Sequence, residues 1–60
     1  MMMNKCDFAL NERVQLNLKS GYTFTGLIVG LNDDHLILFD KFHMNVRILY
    51  EDISFFKEMS

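Results

Sequence analysis

The chain has 60 residues, a formal net charge of −2 and an apolar content of 50%. This length allows one domain, and the richness in Phe, Leu, Ile and Val excludes a disordered chain. No apolar run approaches the roughly 20 residues of a membrane-spanning helix. Cys6 is the only cysteine, so an internal disulfide is excluded. The lone cysteine and the lack of a signal peptide indicate a cytoplasmic protein.

The acidic balance also limits the partners. A broad face for duplex DNA needs many Lys and Arg side chains to neutralise phosphates, and the chain has only 6 such residues against 8 Asp and Glu. A small site for a single strand, built from stacking and a few donors, is compatible with this charge. A domain this short has marginal stability, which favours oligomerisation with copies of itself.

The N-terminal region is predicted to contain a flexible start at 1–6 and a short helix at 7–13. Asp7 is a suitable N-cap residue for a turn of helix that includes Phe8, Ala9 and Leu10. We expect this helix to pack over one end of a β-barrel formed by 14–56, so that 1–60 is a single domain.

The first two strands are predicted on either side of a tight hairpin. Val14, Leu16 and Leu18 alternate with polar residues, which is the period-two pattern of a half-buried strand. Gly21 supplies the positive φ of the turn, and Tyr22 resumes a β-type sequence. The turn of this hairpin therefore ends near residue 22, where the second strand begins.

Three further strands are predicted downstream. Gly26 and Gly30 lie inside the second strand, where glycine indicates a bend or a close backbone approach. A third strand at 35–39 is apolar on both faces, a fourth covers 44–48, and a short fifth covers 53–56. The pattern predicts a mainly-β meander bent into a small open barrel.

Such a barrel has two edges, which we place at 47–50 and 53–56. Neither segment contains proline and the second has adjacent aromatic residues, so neither has the usual protection against pairing. We expect the two edges to pair between subunits. The predicted interface residues are Arg47, Ile48, Leu49, Tyr50, Ile53, Ser54, Phe55 and Phe56.

The segment LKSGYTFTGLIVGLNDDHLILFD is similar to the first motif of the Sm-like (LSm) family, and RILYEDISFF is similar to the second. The spacing is closest to the bacterial Hfq-like members. The motif positions are occupied by Gly21, Gly26, Ile28, Leu31, Leu36, Leu38 and Asp40. The resemblance implies a short N-terminal helix followed by a strongly bent five-stranded antiparallel sheet. It also implies a homomeric ring of about five to seven subunits, joined strand four to strand five.

The resemblance further implies a non-catalytic chaperone or regulator that binds single-stranded, often U-rich, RNA near the ring pore. The family's base-reading Asn maps onto His35, and its Arg-Gly pair maps onto Leu49 and Tyr50. The Hfq-like Lys-His donors are also replaced at this second place. The scaffold half of the pattern is therefore present, and the base-reading half is altered. A compact variant of this kind would suit a phage or a small bacterial genome.

Six side chains are candidate RNA contacts, each with a plainer alternative. A histidine after the acidic turn and a tyrosine on an edge can stack on bases, and a later cationic cluster can bind phosphate. The alternatives are a surface histidine, an interface aromatic and solvated cations. The six are Asn32, His35, Lys41, His43, Arg47 and Tyr50. Lys5 and Arg13 are weaker candidates, and Tyr22 and Phe24 could form an apolar cleft.

The sequence contains no catalytic spacing, phosphate-binding glycine loop or metal motif, so we predict neither an enzyme nor a cofactor. Asp33 and Asp34 are read as turn residues. Two other interpretations remain open. One is a ring-shaped protein-interaction or assembly module that has lost the RNA site, and the other is an isolated SH3-like barrel, which predicts a monomer.

Overall fold

A computed structural model describes residues 5–59. A 3₁₀ turn at Lys5–Asp7 precedes strands β1 (Arg13–Leu18), β2 (Thr23–Leu31), β3 (His35–Asp40), β4 (Asn45–Leu49) and β5 (Ile53–Glu58), and a second 3₁₀ turn at Tyr50–Asp52 separates the last two strands. All five strands form one antiparallel sheet in the order β4-β3-β2-β1-β5. The mainly-β, five-stranded antiparallel prediction is confirmed. The sheet is not closed, and its edges are β4 and β5, as predicted.

The prediction of a helix at 7–13 is wrong. Asn11 has a φ of 66°, which a right-handed helix cannot contain. Its N–H donates to the carbonyl oxygen of Ile28 at 2.7 Å, and the Ile28 N–H donates to the carbonyl of Glu12 at 2.9 Å. These bonds extend the β1–β2 pairing toward the N-terminus. The backbone groups that a helix would use are therefore already bonded to β2.

Both ends of the chain differ in detail from the prediction. Most of the flexible start predicted at 1–6 lies outside the described residues, and Lys5 and Cys6 belong to the 3₁₀ turn. At the other end β5 continues through Glu58, beyond the predicted limit at Phe56. The extension is explained by pairing with β1, because Lys57 and Glu58 lie opposite Gln15 and Val14.

One face of the sheet forms the core. Leu36 and Leu38 are fully buried, whereas Ile37 is half-buried and Phe39 is 36% exposed on the other face, as the alternation predicted. A single sheet can bury one of its own faces only by curling around it, and each of the five strands supplies at least one core residue. The core comprises Phe8, Val14, Leu16, Ile28, Leu36, Leu38, Ile48, Tyr50 and Ile53.

Gly26 and Gly30 both lie close to atoms of β3, but the atoms are of different kinds. A Cβ on Gly26 would overlap the carbonyl oxygen of Phe39 on the adjacent strand and lie 2.9 Å from its carbonyl carbon. At Gly30 a Cβ would instead meet the side chain of Ile37 at 3.1–3.3 Å. The β2–β3 register also shifts between Ile28 and Gly30, which marks a bulge. Backbone contact therefore requires glycine at position 26, and side-chain packing favours it at position 30.

Candidate functional site

The structure separates the candidate RNA contacts into two groups at opposite ends of β3. Asn32 and His35 lie where β3 begins, and Lys41 and His43 lie in the loop after it ends. Six residues of extended strand span about 17 Å. Arg47 lies between the groups, because it pairs with Ile37 in the middle of β3. The six side chains therefore do not converge on one site in a single chain.

The first group forms what we call the turn cluster, which comprises Asn32, Asp33, Asp34, His35 and Tyr50. The amide Nδ2 of Asn32 lies 3.3 Å from Nε2 of His35, and Nδ1 of His35 bonds to Oδ1 of Asp34. The ionised carboxylate of Asp34 can only accept, so Nδ1 of His35 is the donor in that contact. His35 is thus held by its own neighbours on both nitrogens.

Tyr50 is the buried member of this cluster. Its hydroxyl donates to the carbonyl oxygen of Asn32 at 2.7 Å, and its backbone N–H donates to the carbonyl of Asp34 at 3.1 Å. The ring of Phe8 stacks on it with a centroid separation of 5.9 Å. Burial raises the pKa of the Tyr50 phenol above its usual value of 10.0. A base could reach this ring only if Phe8 moved away.

The two carboxylates of the cluster are exposed and paired. Asp33 accepts a hydrogen bond from the ammonium of Lys5 at 2.8 Å, and this contact lowers the pKa of Asp33 and raises that of Lys5. The hydrogen bond from His35 lowers the pKa of Asp34. Lys5, a weaker candidate RNA contact, is therefore engaged with the turn. Each carboxylate of the cluster therefore has a cationic or imidazole partner within the chain.

The second group lies in what we call the hairpin loop, residues 40–44. Oδ1 of Asp40 accepts the backbone N–H groups of Phe42 and Met44 at 2.9 and 3.0 Å, and the Asp40 N–H donates to the Met44 carbonyl at 3.0 Å. His43 adopts a positive φ of 62°. Asp40 therefore braces the loop from within, in the manner of an Asx turn.

This braced loop presents apolar and cationic side chains to solvent. Phe42 is 72% exposed and Met44 is 62% exposed. The ammonium of Lys41 lies 5.3 Å from the Phe42 ring centroid, and the His43 ring lies 5.6 Å from that of Phe39. Exposed large apolar side chains on an ordered loop are typical of a binding surface.

A cleft of about 300 Å³ lies between the hairpin loop and the start of β2. Tyr22 and Phe24 form one wall, with stacked rings whose centroids are 6.2 Å apart. Tyr22 is 70% exposed, and Phe24 is half-buried and packs against the core. We call this feature the aromatic cleft; its lining residues are Tyr22, Thr23, Phe24, Thr25, Asp40, Lys41 and Phe42.

Sequence reasoning anticipated the Tyr22 and Phe24 wall but missed Asp40 and Phe42. The sequence pattern places Asp40 in the family motif, and the residues around Phe42 indicate only a turn. An aromatic residue between Lys41 and His43 in a polar turn was the available signal, because turns rarely gain from a large apolar side chain. Its significance depends on the approach of the first hairpin, which the sequence pattern does not reveal.

The predicted interface residues differ in how far their own chain buries them. Ile48, Tyr50 and Ile53 are core residues, and Tyr50 lies in the 3₁₀ turn after β4, so the edge strand ends at Leu49. Leu49 and Phe56 are half-buried. Among the predicted interface residues, the exposed side chains are Arg47, Ser54 and Phe55. Any pairing through these edges would use backbone groups and the exposed side chains.

No protein-family model, curated protein or solved structure matches the chain, so the Sm-like resemblance stays a prediction. None of the helical segments within residues 5–59 has the length and apolar character needed to cross a membrane. Across the same residues, no three His, Cys, Asp or Glu side chains gather as a set of metal ligands.

Proposed function

We propose that this chain is an Sm-like module that assembles into a homomeric ring and binds single-stranded RNA without catalysis. The observation that carries the RNA part of this proposal is the aromatic cleft. Exposed rings of Tyr22 and Phe42 stand beside the ammonium of Lys41. Rings of this kind stack on bases of any sequence, and a cation beside them neutralises phosphate.

The strand order supports the ring part of the proposal. The edges β4 and β5 are the two strands that the family resemblance joins between subunits, and each leaves one row of backbone groups unpaired. Because they are the two different edges of one sheet, joining β4 of one subunit to β5 of the next is a head-to-tail contact. Such a contact closes into a ring when the rotation between subunits permits. The finer description as a bent Sm-like barrel is part of this proposal.

Fluorescence anisotropy with labelled oligo-U and oligo-A tests RNA binding. We expect a dissociation constant below about 100 μM at low salt, where contacts with phosphate are strongest, and weaker binding as salt is raised. Lys41→Gln should reduce the salt dependence, whereas Lys57→Gln, on β5, serves as a charge-matched control. Failure of both oligonucleotides to bind at low salt would contradict the RNA proposal.

The ring can be tested at one backbone N–H. The Tyr50 N–H points toward β3, because it donates to Asp34. Since N–H groups alternate along a strand, the N–H of Leu49 points to the open edge. Leu49 has a φ of −72°, which proline adopts without strain.

We therefore expect Leu49→Pro to leave the chain folded and to reduce its native mass to that of one subunit. Leu49→Ala removes most of the same side chain but keeps the N–H, so it should retain more of the ring. Light scattering gives the mass, and a ring predicts at least about five times the chain mass. Pairing through β4 is wrong if the proline variant keeps the full assembly.

A second function is favoured by the turn cluster. His35 and Tyr50 are engaged within the chain, and the base-reading donors of the family are absent. A ring that has lost its RNA site and instead serves as a protein-interaction or assembly module fits these facts. An intact ring that binds neither oligonucleotide would favour this second function over the first.

A further inference from the structure

We infer that Phe55 of one subunit inserts into a groove beside β4 of the next subunit and completes the apolar core of that neighbour. The partner is a second copy of this chain, and the two strands pair antiparallel. The inference rests on the proposed ring and specifies the side chain and the register that join its subunits. It is carried by a partly covered core at β4, the direction of the edge backbone groups and an exposed aromatic residue on β5.

A groove of about 400 Å³, which we call the edge groove, runs along the core side of β4. Four consecutive residues, 46–49, line it, so it follows the open edge of the sheet. Leu18 and Phe24 line its far side. Both pack against the core but are only partly buried, as is Val46. The core is therefore incompletely covered at this edge, and an apolar side chain from a neighbour can cover it.

The backbone of β4 determines which of its side chains accompany the open hydrogen-bonding groups. Tyr50 donates its N–H to Asp34, toward β3, and this direction alternates along the strand. The backbone groups of Arg47 therefore point to the open edge. Arg47 pairs with Ile37, and both side chains lie on the outer face of the sheet, opposite to the core residue Ile48. On β4 the open backbone groups thus belong to residues with outer side chains.

The backbone of β5 has the opposite arrangement. The N–H of Met59 donates to Arg13 of β1, so the backbone groups of Phe56 and Glu58 point to the open edge by the same alternation. The side chain of Phe56 packs against the core. On β5 the open backbone groups thus belong to residues on the core face. Phe55 projects from the outer face and is 55% exposed.

Antiparallel joining of these two edges reverses the faces from one subunit to the next. Two residues that exchange backbone hydrogen bonds in an antiparallel pair lie directly opposite and point their side chains to the same side. The outer face of β4 in one subunit must therefore continue as the core face of β5 in its neighbour. Phe55 lies on the outer face of its own subunit, so it lies on the core side of the neighbouring β4. The edge groove opens on that side.

The edge groove also selects the register of this pairing. A register with Phe55 directly opposite Ile48 places its ring on the groove, because Ile48 forms part of the wall. A shift by two residues instead places Lys57 there and sets an ammonium over apolar surface, and a shift the other way brings the bulge before Phe55 opposite the middle of β4. The first register also brings Arg47 diagonally beside Glu58, on the other side of the sheet.

Light scattering over a dilution series tests the contact made by Phe55. Phe55→Ala should raise the concentration at which half of the assembly dissociates by at least about tenfold, since a large ring buried in an interface contributes much of its binding energy. Leu10→Ala truncates a side chain that is also 55% exposed and should leave this concentration unchanged. Circular dichroism verifies that each variant retains its sheet.

A reciprocal substitution tests whether Phe55 meets the edge groove itself. Val46→Phe fills the groove from its own subunit, so alone it should weaken the assembly because two rings compete for one space. Combined with Phe55→Ala, it should assemble more tightly than either single variant. Such coupling between two positions is expected only when they are in contact.

Paired cysteines report the register, in a chain whose own thiol is removed by Cys6→Ser. Asn45→Cys and Glu58→Cys would lie directly opposite, about 5.5 Å apart between Cα atoms, which is within the range of a disulfide. Oxidation should therefore link subunits into a ladder on a non-reducing gel. Arg47→Cys with Glu58→Cys is the matched control. It reports the register shifted by two residues and should stay unlinked.

The outcomes distinguish this inference from the proposal on which it rests. If the parent chain is a monomer, the ring proposal fails and the inference fails with it. If the parent chain assembles and Phe55→Ala leaves its dissociation unchanged, the ring stands and the inference is overturned. Linkage of the control cysteines, or of neither pair, overturns the register that brings Phe55 to the edge groove.

Discussion

The two ends of β3 use similar residue types in opposite ways. At the turn cluster, Asp34 and His35 bond to each other, and the Tyr50 ring is buried beneath Phe8. At the hairpin loop, Asp40 is also engaged, but Phe42 and Lys41 face solvent. The first end uses its polar groups to hold a turn. The second holds its backbone with one carboxylate oxygen and leaves its side chains available to a ligand.

The largest expected effect contrasts the two glycines of β2: Gly26 lies opposite the end of β3, at Asp40, and Gly30 lies opposite Ile37 in its middle. Gly26→Ala should destabilise the chain by about 3 kcal/mol or more, since its Cβ would overlap backbone atoms of Phe39 that cannot move without breaking the sheet. Gly30→Ala should cost about 1–2 kcal/mol, because the Ile37 side chain can adjust. Urea denaturation at equal protein concentrations measures both. Equal losses of unfolding free energy would show that the backbone around Phe39 moves readily to admit the added methyl group.

A smaller difference in stability is expected between variants of Tyr50, in the turn cluster, and of Phe42, in the hairpin loop. Tyr50→Phe should cost about 1 kcal/mol, because the part-buried carbonyl of Asn32 loses its donor. Phe42→Ala should change the free energy of unfolding by less than about 0.5 kcal/mol, because most of its ring is already in water. Thermal denaturation of the two variants is a direct comparison. A larger loss for Phe42→Ala would mean that the hairpin loop serves stability rather than binding.

The smallest expected effect is on the loss of stability at acidic pH. The pKa values of Asp33 and Asp34 are lowered from 3.8 in the folded chain by Lys5 and His35 respectively. Their contribution to stability is therefore fully present above the unfolded value and is lost as the pH falls through the lowered folded values. Melting temperatures measured from about pH 6 to about pH 2 should fall less steeply in Asp33→Asn than in the parent chain. Because both carboxylates are exposed, added salt should reduce this difference. If Asp33→Asn leaves the dependence of melting temperature on pH unchanged, the contact between Lys5 and Asp33 does not stabilise the chain in solution.

Much of the fold could be predicted from the sequence, because its information is periodic and local. The alternation of Val14, Leu16 and Leu18 and the positive φ of Gly21 suffice for the first hairpin. The prediction of an N-terminal helix failed because it rested on a local signal, the N-cap residue Asp7. A non-local interaction, the pairing of this segment with β2, decides the structure instead. The backbone of 11–12 is used by β2, and only the assembled sheet reveals this pairing.

The candidate site was harder to predict, because exposure and partnership are properties of the folded chain. His35 and Tyr50 are as suitable for RNA binding in the sequence as Lys41 is. His35 is held by its sequence neighbours Asn32 and Asp34, whereas Tyr50 is held by Asn32 and Phe8, which lie elsewhere in the chain. The aromatic cleft likewise depends on the fold, because its two walls are separated in the chain by most of β2 and β3.

The two described ends of the chain lie far from the aromatic cleft. Lys5 is tied to Asp33 at the β2–β3 turn, and the N–H of Met59 donates to the carbonyl of Arg13 at 2.8 Å, at the start of β1. The first hairpin and the hairpin loop occupy the opposite end of these strands. A fluorophore attached at a residue beside Lys5 or Met59 therefore lies on the side of these strands away from the cleft.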